Sequence, residues 1–292
     1  MSEPRSVSEL LGVGERVLAD STQLFEDHDR PGIARDLMSA VLRGDDFDDD
    51  LVPPRRARER YLSYIARRAA GEPSPFITGK TVFYGLELTV RPGAFVPRPS
   101  SELLVSRALK RIGRLHDPVV VDACTGAGPI ALAVAYHRPD AEVWGTDISD
   151  AGLAQARSNA RSLEVANVTF RRGDLYGPLP RGLRQRVDLI TAHVPYVPAG
   201  EVDDLPAEVT EHEPASTLTD NSGDGLGLMR RTIFEAALWL APGGWLLLEM
   251  SEDLAPRARR LCRRAAFEDK GTAMDSDRLS AVVEARERHR RR

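Results

Sequence analysis

The sequence predicts an α/β chain built on a doubly wound, largely parallel sheet, and three observations carry that reading. First, Val119 to Gly128, VVVDACTGAG, is a run of buried-strand residues that passes straight into a glycine turn; nearly continuous apolar character suits a strand covered on both faces. Second, from Pro118 onward strand-like and helix-like stretches alternate, the pattern that specifies parallel βαβ units. Third, a second strand, Glu142 to Asp147, ends in a carboxylate about 20 residues after the turn, where an acidic side chain can accept both hydroxyls of a ribose.

Taken in chain order, the segment before residue 75 is helical. Val7, Leu10, Leu11 and Leu18, then Ile33, Leu37, Val41 and Leu42, recur mostly at spacings of three, four and seven. A third helix is predicted from Pro54 to Ala70, with Tyr61, Leu62 and Ile65 on one face and arginines on the other. The acidic run Asp45 to Asp50 reads as a loop, since carboxylates crowded into a flexible stretch lack ligand geometry. Thr81 to Gly93 alternates as a strand pair would, with Gly85 at the turn. The predicted organisation is a helical bundle over 1–75, a β-hairpin linker over 76–97 and a cofactor-binding domain over 98–292. Strands are predicted near 118–124, 141–147, 167–172, 187–193 and 243–251, with helices near 129–137, 149–163, 225–240 and 253–266.

Gly126 and Gly128 let the backbone turn tightly and approach a ligand, and Pro129 suits a first helical position, where a missing N–H costs nothing. The helix that follows would offer its N-terminus to an electron-rich group. Gly126, Gly128 and Ala131 also satisfy the dinucleotide fingerprint of a nicotinamide enzyme, so the loop alone leaves the cofactor open. Asp147 has an alternative reading as the cap of the next helix, because Ser149 and Asp150 follow it. Asp122 reads as ordering the loop or meeting the amino-acid end of a cofactor, and Asp174 as an acceptor for an adenine amino group or as a turn residue. Asp122, Asp147, Asp174 and His193 each stand at or just past a strand end and are expected to converge on one crevice.

Composition narrows the class. The 292 residues, 42% of them hydrophobic, can support a proper core, and a formal net charge of -4 argues against nonspecific nucleic-acid binding despite the arginine-rich run from Arg286 to Arg292. Two cysteines, Cys124 and Cys262, make no disulfide framework, and no apolar run reads as a signal peptide or a span; a soluble cytoplasmic monomer with no membrane partner is expected. Cys124 reads as a small packing residue between strand and turn, not a nucleophile. No metal ligands are assigned.

After the fourth strand comes His193-Val194-Pro195-Tyr196-Val197-Pro198, in which the prolines hold the main chain extended. Together with the hairpin FYGLELTVRPG, then VPRPSSELLV, DACTGAG, GTD, RRGDLY, EPASTLTDNSGDGLGLMRR and APGGWLLLEMSE, this segment resembles the protein N(5)-glutamine methyltransferases that modify peptide-release factors, over nearly the whole chain. The resemblance implies a Rossmann-like class I fold, S-adenosylmethionine as cofactor and a release factor or a relative as protein substrate. It implies Asp147 on the ribose, Asp174 near the adenine, and Gly126 and Gly128 beside the methionine moiety, with Asp122, Thr125, Ile148, Leu175 and His193 completing the cofactor set. It implies His193, Val194, Pro195, Tyr196 and Arg98 around the reacting groups.

The family signature at this point is Asn-Pro-Pro-Tyr, and this chain has His193-Val194-Pro195-Tyr196. A neutral imidazole offers one hydrogen bond at each ring nitrogen and cannot supply an amide's acceptor and two donors from one terminus. His193 therefore has three readings: a substrate clamp in place of asparagine, a general base for a more acidic nucleophile, or a structural histidine. Methylation of another protein or a small molecule, or a degenerate cofactor-binding protein, are the competing functions. Ser100 and Ser101 stand where the family has an acidic residue followed by threonine. The C-terminal segment also departs from the family's closing hairpin, with short apolar runs only, at Leu279 to Val283.

Overall fold

The computed structural model describes residues 5–24, 29–276 and 280–288. The chain divides into two compact units, one of Met1–Lys80 with Asp203–Glu213 and one of Thr81–Val202 with Pro214–Arg292.

The first unit is helical. Helix α1 (Val7–Ala19) opens with a capping box, in which Ser6 Oγ accepts from the Glu9 N–H and the Glu9 carboxylate accepts from the Ser6 N–H. Helices α2 (Arg30–Leu42), α3 (Arg55–Ala69) and α4 (Ser74–Thr78) follow. The apolar spacing of the sequence becomes one core: Val7, Leu10 and Leu18 meet Leu37, Met38, Tyr61 and Ile65, all of them buried. Asp203–Glu213 joins this unit through the buried pair of Arg68 and Glu208, with Nη2 and Oε2 2.6 Å apart.

The second unit opens on a hairpin. Strands β1 (Lys80–Phe83) and β2 (Leu86–Thr89) meet at Tyr84-Gly85, both with positive φ, the geometry that matches the right-handed twist of the strands. Helix α5 (Glu102–Ile112) lies ahead of the main sheet and buries Leu104, Val105, Ala108 and Ile112. The sheet and its helices are β3 (Val119–Ala123), α6 (Pro129–His137), β4 (Glu142–Asp147), α7 (Asp150–Ser162), β5 (Val168–Arg172) and β6 (Val187–Ala192). After the excursion that forms α8 (Ala207–Thr210) in the helical unit come α9 (Gly227–Ala236), β7 (Leu240–Met250), α10 (Ala255–Arg264), β8 (Glu268–Met274) and β9 (Ala281–Arg286).

The strand order is β5-β4-β3-β6-β7-β9-β8, parallel from β5 to β7 and antiparallel at β9 and β8. Every residue of β3 is buried, as its valine run requires, and the order reverses between β3 and β6, which places a ligand crevice beyond their carboxyl ends. Apolar clusters cover the two faces of the sheet. The β1–β2 hairpin is fastened to α7 by reciprocal amide bonds: Asn159 bridges the Thr89 N–H and C=O, and Gln155 bridges those of Arg91.

The C-terminal expectation is corrected: a full β8–β9 hairpin closes the sheet. Strand β9, six residues long, is buried between β7 and β8, and β8, at the edge, tolerates the polar sequence EDKGTAM. Leu279 and the end of the arginine-rich run, from residue 289, lie outside the described residues.

Candidate active site

A cavity of about 530 Å³ opens beyond the carboxyl ends of β3, β4, β5 and β6. Its first wall is the glycine loop. Thr125 donates its N–H to the Thr146 carbonyl and the Gly126 N–H donates to Asp147 Oδ2 at 2.8 Å, so the loop is pinned to the neighbouring strand before helix α6 begins. Gly126 has φ +56 and a Cβ placed on it would stand in open space, whereas Gly128, at φ +81, has no room, since its Cβ would meet Ala156 at 2.9 Å and Phe170 at 3.0 Å. One glycine leaves the main chain bare beside the cavity; the other lets the loop pack on α7 and β5.

Asp122 sits beneath this loop. It is buried, its Oδ2 accepts from Thr125 Oγ1 at 2.6 Å and its Oδ1 from Thr191 Oγ1 at 2.7 Å, and it does not line the cavity. Of its two readings the structure supports the ordering of the loop; contact with a ligand would need a path through Thr125. Burial pushes its carboxyl up to about 6, against the lowering effect of the two hydroxyl donors. Cys124, at φ 59, lines the cavity as a thiol that burial pushes well above its ordinary value, which denies it nucleophilic character.

Asp147 lines the cavity from the end of β4, with Oδ1 accepting from the Ser149 N–H at 2.8 Å. Its cap reading is set aside: Ser149 caps α7, its side chain accepting from the Gly152 N–H. Ile148 beside it is an apolar side chain left 57% exposed, a surface for a flat ring. Asp174 and Leu175 line the cavity after β5, and the Asp174 carboxylate is paired at 2.7 Å with the guanidinium of Arg231 on α9, a partner the sequence reading did not find.

The remaining wall is the segment after β6. His193 and Pro195 line the cavity, whereas Val194 is buried and Tyr196 lies behind, its ring stacked on His193 with centroids 5.8 Å apart. Phe95 meets the imidazole in an edge-to-face arrangement with centroids 5.6 Å apart, and the Arg98 guanidinium lies over Phe95 at 4.9 Å. Burial, with Glu249 and Asp253 nearby, pushes the Tyr196 hydroxyl up to about 12. The Val197 N–H donates to the Leu218 carbonyl and the Ala199 N–H to that of Ser222, so the segment is held like a strand against residues 218–222. From that side Ser216, Thr217, Thr219, Asp220 and Asn221 complete the wall.

The structure thus brings Thr125, Gly126, Asp147, Ile148, Asp174, Leu175, His193, Pro195 and Arg98 onto one surface and sets Asp122, Gly128, Val194 and Tyr196 behind it. Sequence reasoning missed Phe95, Arg231 and Glu249, and named Ser101 only as a departure from the family pattern. Glu249 had a signal, a lone carboxylate inside the apolar run of β7; Arg231 had none beyond its place on an amphipathic helix.

A model described as "Methyltransferase domain" matches residues 116–278. The release factor glutamine methyltransferase of Burkholderia pseudomallei is 40% identical over 223 residues, 73% of this chain and 75% of that one. Its counterpart in Geobacter sulfurreducens is 37% identical over 86% of this chain and 87% of its own. The chain belongs to the release factor glutamine methyltransferase family. Membership extends to the helical unit, because the family's protein from Coxiella burnetii is 33% identical over 95% of this chain and 99% of its own. Solved structures agree on the fold. A Thermus thermophilus 16S rRNA guanosine methyltransferase superposes with TM-score 0.52 at 21% identity, covering 72% of this chain and 50% of that one. A Pyrococcus furiosus methyltransferase gives 0.50 at 17% identity, covering 80% of this chain and 98% of that one. The unit built on the seven-stranded sheet has the class I methyltransferase fold, and the His193-Val194 pair is this chain's departure from the family's Asn-Pro.

Proposed function

We propose that this protein transfers a methyl group from S-adenosylmethionine to the side-chain amide nitrogen of a glutamine in a peptide-release factor or a relative. The residues present suit the cofactor: Asp147 gives the ribose hydroxyls a carboxylate acceptor, Ile148 and Leu175 flank a flat base, and the bare backbone at Gly126 admits the amino-acid end. The bound cofactor supplies an electrophilic methyl on sulfur. The protein's part is positioning, with Arg98, Phe95 and the His193–Tyr196 stack framing the acceptor and Pro195 holding its backbone stiff. The single observation that carries the reading is the convergence of Asp147, Asp174, His193 and Pro195 on one cavity in a chain of this family.

The helical unit would serve docking, with Arg55, Arg56 and Arg60 exposed on α3 toward an acidic protein surface. A monomer working in the cytoplasm, without direct nucleic-acid contact, completes the proposal; no helix among the described residues is long and apolar enough to cross a membrane. A second reading, another N–H or O–H acceptor, is favoured by one observation, the imidazole of His193 where the family has an amide. The test is transfer of labelled methyl to a cognate release factor and to its variant with alanine for the glutamine of the Gly-Gly-Gln motif. Label on the first alone supports glutamine; label on both, or on neither while other proteins of an extract are labelled, supports the second reading.

A further inference from the structure

Glu249 lies on β7, 2% exposed, and its two oxygens are not alike. Oε1 accepts from Ser101 Oγ at 2.7 Å and from Ser280 Oγ at 3.0 Å. Oε2 is buried and accepts no hydrogen bond, and His193 Nδ1 lies 3.5 Å from it. A buried carboxylate oxygen without a donor is costly, and the imidazole is the group placed to relieve it, since a movement of about half an ångström brings Nδ1–H to bonding length.

We infer that Glu249 is a positioning residue that holds His193 as the Nδ1–H tautomer and so presents Nε2 to the cavity as an acceptor for an N–H of the substrate amide. The inference rests on the reading of the site as one for glutamine methylation. It gives the departure from the family signature a chemical sense: one acceptor, Nε2, takes the place of the asparagine side-chain oxygen, and two serines fix the carboxylate behind it. As the amide nitrogen would bond to the methyl carbon, the bond from that carbon to the sulfonium sulfur would break and leave its electron pair on a neutral thioether, and the nitrogen would carry a positive charge and one hydrogen too many. Nε2 takes that proton, the nitrogen returns to a neutral amide, and the imidazolium stands beside the Glu249 carboxylate until solvent removes the proton. The two hydroxyls on Oε1 leave Oε2 as the oxygen that faces this charge. This is the arrangement by which a buried carboxylate sets the tautomer of a catalytic histidine.

Glu249→Gln keeps an acceptor for both serines but turns an NH2 group toward Nδ1, which favours the opposite tautomer. The expected results are a fall in kcat of at least about tenfold, an unchanged affinity for S-adenosylhomocysteine, and less than about a twofold further effect of Glu249→Gln when His193 is already asparagine, since separate actions would add. An equal fall in both backgrounds would make Glu249 a structural residue and overturn the assignment. The tautomer is also read without turnover, from the imidazole nitrogen shifts of His193 in nitrogen-15 spectra of the wild-type protein at neutral pH. A proton on Nδ1 alone is expected; a proton on Nε2 alone, or on both nitrogens, overturns the proposal. Because that spectrum needs no substrate, the tautomer set by Glu249 is decided separately from whether glutamine is the acceptor.

Discussion

At the scale of single residues, Asp147 is engaged before any ligand arrives, its two oxygens accepting from the main chain at Gly126 and Ser149. Asp147→Ala therefore removes the pin that holds the glycine loop and, with it, the acceptor proposed for the ribose. Hydrogen bonds to a charged group are worth about 1.5–3 kcal/mol, so affinity for S-adenosylhomocysteine is expected to fall at least tenfold, measured by isothermal titration; an unchanged affinity would remove Asp147 from the cofactor site. Asp122 makes a different prediction. Its carboxyl is raised by burial from 3.8 to about 6 in the folded protein, so between about pH 4 and pH 6 the folded state holds a proton there that the unfolded chain has released. The resulting stabilisation is full below about pH 4 and is lost as pH rises through 6, up to about 3 kcal/mol. Urea unfolding across that window should show a smaller fall in Asp122→Asn than in the wild-type protein, the remainder belonging to Asp147, whose carboxyl burial also raises. Both aspartates were legible in the sequence as strand-end carboxylates. Their division into one on the cavity wall and one beneath it was not, because Asp122 pairs with Gly145 and so lies two residues short of the level of Asp147, a stagger between neighbouring strands that only packing fixes.

At the scale of elements, the segment from His193 to Pro198 depends on a distant glycine. Gly225 has φ +65, and a Cβ placed on it would stand 2.0 Å from the Tyr196 carbonyl oxygen. Gly225→Ala is expected to push this segment away from residues 218–222 and to lower kcat by an order of magnitude or more while cofactor affinity holds within about threefold, since displacements of about 1 Å in a positioned site cost about 100-fold. Equal kcat values would show that the segment does not depend on that contact. The strand, glycine loop and helix from β3 to α6 were plain in the sequence because apolar run, turn residues and Pro129 agree. Helix α5 was passed over, although Leu104, Val105, Ala108 and Ile112 carry a helical spacing, because Pro97, Pro99, Ser100 and Ser101 just before it are residue types common in turns. The β8–β9 hairpin was hidden because an edge strand needs no apolar face of its own and β9 is only six residues long.

At the scale of the whole molecule, the chain leaves the sheet unit after residue 202, contributes Asp203–Glu213 to the helical unit and returns, and the buried pair of Arg68 and Glu208 secures that excursion. Breaking a buried pair by removing one partner costs about 3–5 kcal/mol, whereas replacing both by apolar groups is often neutral. Glu208→Leu should lower the melting temperature clearly, and the double variant Arg68→Met with Glu208→Leu should recover most of it; no recovery would show that the pair acts through other partners. This excursion was not legible in the sequence, since a loop between β6 and α9 carries no mark of the unit it joins. The family was legible, through several motifs in the right order, and so was the one place where this chain differs from it. The acceptor proposed despite that difference is the amide nitrogen of a glutamine. Peptide mapping by mass spectrometry of a cognate release factor incubated with the protein and S-adenosylmethionine tests it most directly. The prediction is a single methyl on the side-chain nitrogen of the Gly-Gly-Gln glutamine; an unmodified glutamine, with cofactor binding intact, would contradict it.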